Sequence, residues 1–314
     1  MQMLDRIKLK TPITDNEVLN LLHSGLIEPT IRGRKRGYIS TDQAKKFKGL
    51  TLEITEKGIL TLSLSLHSFS NMLKNGTLDN STQFTYKEAK ETFGALCDFL
   101  GLDLNKAKVL SYEIGINISM PRPASEYNKI LMKTEKEDFG EDMRFYDTTQ
   151  KTTRKAQSKR IYFKAYDKSA EYITKGRKPA QPYIFRIEKV CKRQDFEAVK
   201  LWSDAKKIRK AFFDRCDKMQ FNRPLMGVKG VRTSEKARAE KILLSGVDAY
   251  KRQVTTDYEN KYITRSEFLT CIKFADEWET RHKSRFYKPV TQLESEFWDE
   301  YRTIKSKMMN VNNT

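Results

Sequence analysis

The chain has 314 residues and 60 Lys and Arg against 41 Asp and Glu, so its net charge of +19 points to a polyanionic partner. Its length is ample for a real core in one large or two modest domains, and contents of 38% hydrophobic and 11% aromatic residues argue against disorder. The sequence shows no apolar run long enough to span a membrane, no secretory leader, no CxxC or zinc spacing among Cys97, Cys191, Cys216 and Cys271, no HxH or HExxH around His23, His67 and His282, and no phosphate-binding GxxxxGK loop.

A first strand runs through Ile7 and Leu9 and breaks at Pro12. Residues 31–39 read as two short strands around a basic, glycine-bounded turn. Residues 51–69 read as a β-hairpin, with Leu52 and Ile54 alternating before the turn at 56–58 and Leu60, Leu62, Leu64 and Leu66 after it. Residues 74–80 are a loop. Thr85 then caps a helix with Glu88 as its reciprocal partner, and Ala89, Phe93, Leu96 and Leu100 carry it to a stop at Gly101. Strands are predicted over 109–119, 158–169 and 182–190, and beyond about 193 the period becomes helical, over 234–255, 264–282 and 291–309. The order predicts an α+β fold. Residues 1–200 form a largely antiparallel sheet with one inserted helix, and residues 201–314 a mainly helical, basic region. Residues 151–240 carry +16 of the net charge, a footprint rather than a scattered solubility charge.

Three strands place polar groups where a strand disfavours them. In 109–119, Ile114, Ile116 and Ile118 share one face, and Glu113, Gly115 and Asn117 the other. A mid-sheet carboxylate must be solvated, paired or bound to a metal, and Gly115 lets something approach the sheet closely. In 182–190, Phe185 and Ile187 oppose Arg186 and Glu188. Two glutamates on separate strands of one sheet can meet, and two hard oxygen ligands suit Mg²⁺ or Mn²⁺; a salt bridge from Glu188 to a nearby base is the alternative. In 158–169, Tyr162, Lys164, Tyr166 and Lys168 take one face. Aromatics interleaved with lysines mark nucleic-acid surfaces, and neighbouring cations would favour a phenolate nucleophile.

The order E-I-G-I-N-I (113–118), R-I-Y-F-K-A-Y-D-K (160–168) and F-R-I-E-K (185–189) resembles the replication initiators of filamentous phages. It is also similar to the phage and plasmid initiators of Bacteroidetes elements and to the Rep-trans plasmid initiators. The resemblance covers roughly residues 50–200. It implies an origin-nicking enzyme of a prokaryotic or phage-infected cytoplasm, acting on single-stranded or supercoiled origin DNA for rolling-circle replication. Tyr166 in Ala165-Tyr166-Asp167-Lys168 is then the nucleophile, with Tyr162 and Tyr172 as rivals and Lys168 and Lys164 assisting. Glu113 and Glu188 would hold the Mg²⁺ or Mn²⁺. Relatives often carry a His-Asn in the loop after the hairpin; here the loop reads Leu78-Asp79-Asn80, and Asp79, or His67 from the preceding strand, would supply the third ligand. For origin DNA, the turn residues Arg32, Arg34, Lys35 and Arg36, together with Tyr162 and the basic segment Lys206, Lys207, Arg209 and Lys210, are the expected contacts. A host helicase and a homodimer are possible partners. A non-catalytic origin-binding initiator and a mobilisation relaxase are the alternatives; the first leaves Glu113 and Glu188 unexplained, and the second usually carries a histidine cluster.

Overall fold

A computed structural model describes residues 4–32, 35–82, 84–135, 137–141, 154–157 and 160–310. In chain order, β1 (Leu4–Pro12) leads through α1 (Asp15–His23) to the hairpin β2 (Ile27–Arg32) and β3 (Lys35–Ser40). Then come α2 (Asp42–Lys48), β4 (Thr51–Thr55), β5 (Ile59–Ser65), α3 (Leu66–Asn75), α4 (Tyr86–Leu100) and β6 (Lys108–Ser119). The middle of the chain holds α5 (Ala124–Ile130), β7 (Leu131–Thr134), β8 (Glu137–Asp138), β9 (Gly140–Glu141), β10 (Arg154–Gln157) and β11 (Ile161–Asp167). After α6 (Lys168–Thr174) and β12 (Ile184–Glu197) follow α7 (Val199–Ser203), α8 (Ala205–Cys216), β13 (Met219–Phe221) and β14 (Met226–Gly227). The chain ends with α9 (Thr233–Ser245), α10 (Val247–Glu259), α11 (Arg265–Asp276), β15 (Phe286–Tyr287) and α12 (Gln292–Asn310).

Among the described residues, ten strands form one sheet in the order β2-β3-β4-β5-β1-β6-β12-β11-β10-β9, every neighbouring pair antiparallel. The expected α+β class and antiparallel sheet are therefore present. The long strands β6 and β12 pair at the centre, where each buries both faces. On one face Ile114, Ile116, Ile118, Phe185, Ile187 and Phe163 are buried. Helices cover them: Phe212 of α8 stacks on Phe163, and Tyr127 of α5 and Phe297 of α12 pack against Phe185. The other face carries the polar side chains.

α4 forms as its sequence dictates, with the Thr85–Glu88 capping box at its start and Gly101 in the left-handed region at its end. Three elements differ from the sequence reading. The hairpin ends at Ser65, whose hydroxyl accepts from the Ser68 amide and starts α3, so Leu66 and His67 are helical and buried. β11 ends at Asp167, whose side chain caps α6, so Lys168 opens a helix instead of continuing the Tyr162–Lys164–Tyr166 alternation; residues 158–159 of the expected strand lie outside the described residues. The helix expected over 234–255 divides at Gly246, which takes a φ of 85°.

The chain forms two compact units, Met1–Phe221 with Glu296–Thr314, and Asn222–Ser295. The first contains the sheet. The second folds around Ala239, Ile242, Tyr250, Val254, Phe274 and Trp278. No described helix is long and apolar enough to cross a membrane.

Candidate active site

Strand register brings the polar side chains together. Across β6, β12 and β11, Asn117 pairs with Arg186 and Arg186 with Tyr166, and in the next row Gly115 pairs with Glu188 and Glu188 with Lys164. Cross-strand partners share a face. The rows therefore stack Arg186 over Glu188 on β12, with Tyr166 and Lys164 beside them on β11. Gly115 has a specific task here: a Cβ on it would lie 2.7 Å from the Ile187 carbonyl oxygen and 3.0 Å from Glu188 Cγ. What approaches the sheet at Gly115 is the neighbouring strand with Glu188.

Arg186 is 0% exposed and is the hub. Its Nε donates to Glu188 Oε1, one Nη donates to Asn117 Oδ1 at 2.8 Å, and the other forms an ion pair with Asp5. Asp5 in turn accepts from Ser65 Oγ at 2.5 Å and from Asn80 Nδ2 at 3.3 Å. Sequence reasoning missed Asp5. The β1–β6 register slips between Leu4 and Arg6, and such a bulge re-aims the residue it contains. The signal was present in the sequence: Leu4 and Ile7 are both apolar-face residues three apart, which strict alternation does not allow.

Tyr166 is partly exposed, and its hydroxyl donates to Glu188 Oε1 at 3.0 Å. Burial and the adjacent Glu188 anion push the phenol well above its usual pKa, outweighing Arg186. This corrects the expectation that neighbouring cations favour the phenolate: the Glu188 carboxylate takes the hydroxyl's hydrogen bond, and its charge with burial outweighs theirs. Burial alone would raise the Glu188 carboxyl, but Lys164 and Arg186 hold it well below the usual carboxylate range. Lys168 Nζ lies 5.8 Å from the Tyr166 ring centre, 4.9 Å from the Tyr172 ring centre and 2.8 Å from Glu171 Oε2. Burial and Arg186 lower its pKa against the pull of Glu171.

Glu113 and Glu188, the expected metal pair, are joined through a lysine. Lys164 Nζ lies 2.6 Å from Glu188 Oε2 and 3.8 Å from Glu113 Oε2. Burial raises the Glu113 carboxyl more than Lys164 lowers it. The expected third ligands are engaged elsewhere. Asp79 accepts from Tyr172 Oη at 2.5 Å and from the Ser81 amide at 2.7 Å. His67 lies in α3, with Nε2 2.9 Å from Thr82 Oγ1 and its ring stacked on Phe84, and burial lowers its pKa to about 4. Among the described residues no three His, Cys, Asp or Glu side chains group as a metal site. Glu188 Oε1 accepts from Tyr166 and Arg186, and Oε2 faces Lys164 Nζ, so a divalent cation reaching this carboxylate would have to displace the lysine.

The expected DNA contacts are dispersed. Arg36 is exposed on β3; Arg32 and Lys35 end the facing strands, and Arg34 lies outside the described residues. Tyr162 is half-buried with Lys192 Nζ 4.8 Å from its ring centre. On α8, Lys206, Lys207 and Lys210 are exposed and Arg209 is half-buried. The neighbouring Phe212 and Phe213 are core residues, not a stacking surface for bases.

No protein-family profile matches the chain, and no curated protein matches it. Among solved structures it is similar to one described as the rolling circle replication initiator protein from Geobacillus stearothermophilus, at 12% identity over 75% of this chain and 89% of that one, with a TM-score of 0.38.

Proposed function

We propose that this chain is a rolling-circle replication initiator that nicks an origin strand through Tyr166. The observation that carries this reading is the Tyr166 hydroxyl held on a buried carboxylate, with Arg186, Lys164 and Lys168 around it. The basic footprint over residues 151–240 and the order of the three strand motifs support it.

Tyr166 Oη attacks the scissile phosphorus while Glu188 Oε1 accepts the phenolic proton. The P–O3′ bond breaks, and the leaving oxygen takes a proton from water. The products are a 5′-phosphotyrosine and a free 3′-OH that primes synthesis. Rejoining is the reverse, with a new 3′-OH attacking the phosphotyrosine. The covalent link conserves the phosphodiester energy, so ATP is not required. The raised Tyr166 pKa keeps the proton on the phenol until the new bond forms, when Glu188 Oε1, already hydrogen-bonded to it, receives it. Lys164, whose side chain is 17% exposed against 3% for Lys168, is the cation with an open edge toward a phosphate. It stabilises the developing oxyanion charge, with Arg186 and Lys168 acting from behind.

The test is adduct formation on origin-strand oligonucleotides, read on a denaturing protein gel, with Mg²⁺, Mn²⁺ or EDTA. Loss of the adduct in Tyr166→Phe, with oligonucleotide binding retained, is the expected result. An adduct persisting in that variant moves the nucleophile to Tyr162 or Tyr172. Tight binding of cognate DNA with no adduct in any condition leaves a non-catalytic origin-binding initiator.

A further inference from the structure

Lys168 Nζ lies near two tyrosine rings, and the reaction uses only one of them. The other, Tyr172 on α6, is buried, and its hydroxyl is fully engaged. It donates to Asp79 Oδ1 at 2.5 Å, accepts from the Asn80 amide at 2.6 Å and lies 2.8 Å from Asn80 Oδ1. Burial and the hydrogen bond to Asp79 push its phenol above the usual range, so it stays protonated. Burial alone would raise the Asp79 carboxyl, but the hydrogen bonds from Tyr172 and Ser81 hold it below the usual carboxylate range. Tyr172 is thus a donor to an anion, held on a turn 92 residues earlier in the chain.

That turn, residues 79–81, reaches both Nη groups of Arg186 through one intermediary each. Asn80 Nδ2 donates to Asp5 Oδ2 at 3.3 Å, and Asp5 takes one Nη of Arg186. The Ser81 carbonyl accepts from Asn117 Nδ2 at 3.0 Å, and Asn117 Oδ1 takes the other Nη at 2.8 Å. One turn therefore seats both partners. A guanidinium is a rigid planar fork, so fixing its two Nη groups also fixes the direction of Nε. Nε is the group that donates to Glu188 Oε1, the oxygen that receives the Tyr166 hydroxyl. A hydrogen-bonded path thus runs from Tyr172 through the turn and Arg186 to the reacting proton. The turn has other anchors as well. Asn71 Nδ2 donates to the Asp79 carbonyl at 2.9 Å, and an Arg177 Nη donates to the Leu78 carbonyl at 2.7 Å. Removing the Tyr172 hydroxyl should therefore loosen the turn without unfolding it.

We infer that Tyr172 is a positioning residue for the reaction at Tyr166: its hydroxyl locks residues 79–81 as a bracket that aims Arg186, and through it Glu188, at the nucleophile. The effect on the reaction rests on the nickase reading; the bracket on Arg186 does not.

The test variant is Tyr172→Phe, which keeps the ring beside Lys168 and removes only the hydroxyl. Two readouts are taken on the full-length chain. One is hydrogen exchange of the Arg186 Nε–H by NMR, assigned with Arg186→Lys. The other is the single-turnover rate of adduct formation with saturating origin-strand oligonucleotide. In Tyr172→Phe the exchange should quicken by about 10-fold or more, as expected when a buried hydrogen-bonded group opens more readily. The adduct rate should fall by about 10-fold or more, since a misplacement of about 1 Å can cost about 10²-fold. The oligonucleotide dissociation constant should stay at the wild-type value. Asn80→Ala cuts the path at its next link and should act in the same direction, which carries the test if Tyr172→Phe does not fold. The double variant should be no slower than the slower single one, because both act on one path. Tyr301→Phe is the control. It removes a hydroxyl that donates to Asp217 Oδ1 at 2.7 Å, and it should lower the melting temperature while leaving both readouts unchanged. A wild-type adduct rate in Tyr172→Phe would overturn the inference, as would an equal fall in Tyr301→Phe or a slower rate with wild-type exchange. Absence of adduct from wild type, with Arg186 exchange still quickened in Tyr172→Phe, would sink the nickase reading alone.

Discussion

A fully buried arginine needs its charge answered, and Arg186 meets Glu188, Asp5 and Asn117. Breaking a buried ion pair by deleting one partner leaves an uncompensated charge at a cost of about 3–5 kcal/mol. Asp5→Ala should therefore lose about that much stability by denaturant titration, whereas Asp5→Asn, which keeps an oxygen toward Arg186, should lose less. The contact spans 181 residues of sequence, so nothing local announces it. Tyr166, Lys164 and Glu188 were legible because alternation assigns faces within each strand; Arg186 was seen only as the neighbour of Glu188 on its face. His67 carries a second residue-scale consequence. Its folded pKa of about 4 lies below the unfolded value of 6.5, so the folded state favours neutral imidazole. That contribution is complete above pH 6.5, declines as pH falls toward 4, and amounts to at most about 3 kcal/mol. Melting curves between these pH values should fall more steeply for wild type than for His67→Gln.

At the scale of elements, two glycines make opposite predictions. Gly115 sits on β6 against β12, where a methyl group would meet the Ile187 carbonyl. Gly115→Ala should cost about 1–3 kcal/mol, as overpacking does, and push Glu188 away from Tyr166 so that adduct formation falls with it. Gly94 lies exposed inside α4, and a methyl there meets nothing within 4 Å. Gly94→Ala should stabilise the chain by about 0.5–1 kcal/mol through helix propensity, with adduct formation unchanged. Chemical denaturation of the two variants side by side checks both signs. α4 was legible in full because its capping box, apolar spacing and terminal glycine agree. The β11–α6 boundary was not: the alternation from Ile161 to Lys168 runs straight through a helix cap at Asp167, and two local signals compete over the same residues. Lys168 changed element for that reason, and with it changed from a strand-face lysine to a buried cation packed between two tyrosine rings.

At the scale of the whole molecule, the +19 charge divides into two kinds of cation with different sensitivity to salt. Exposed lysines such as Lys206, Lys207 and Lys210 on α8 act through solvent, where screening is nearly complete beyond about 10 Å at 0.1 M salt. Arg186 and Lys168 are buried against carboxylates and are screened far less. The charge footprint was readable as a sum over sequence, but this division was not, because it depends on which cations the fold takes out of water. Capture of origin DNA and reaction at Tyr166 should therefore separate with ionic strength. Raising salt from about 50 to 200 mM should weaken binding by about 10³-fold or more if 6–10 phosphates are neutralised. The single-turnover rate of adduct formation, measured with oligonucleotide kept saturating at each salt, should change by less than about 3-fold, because bound substrate meets buried and partly buried cations that salt screens far less. A rate that falls in step with affinity would mean that exposed cations, rather than the Arg186–Glu188–Lys164 cluster, stabilise the charge that develops on the phosphate.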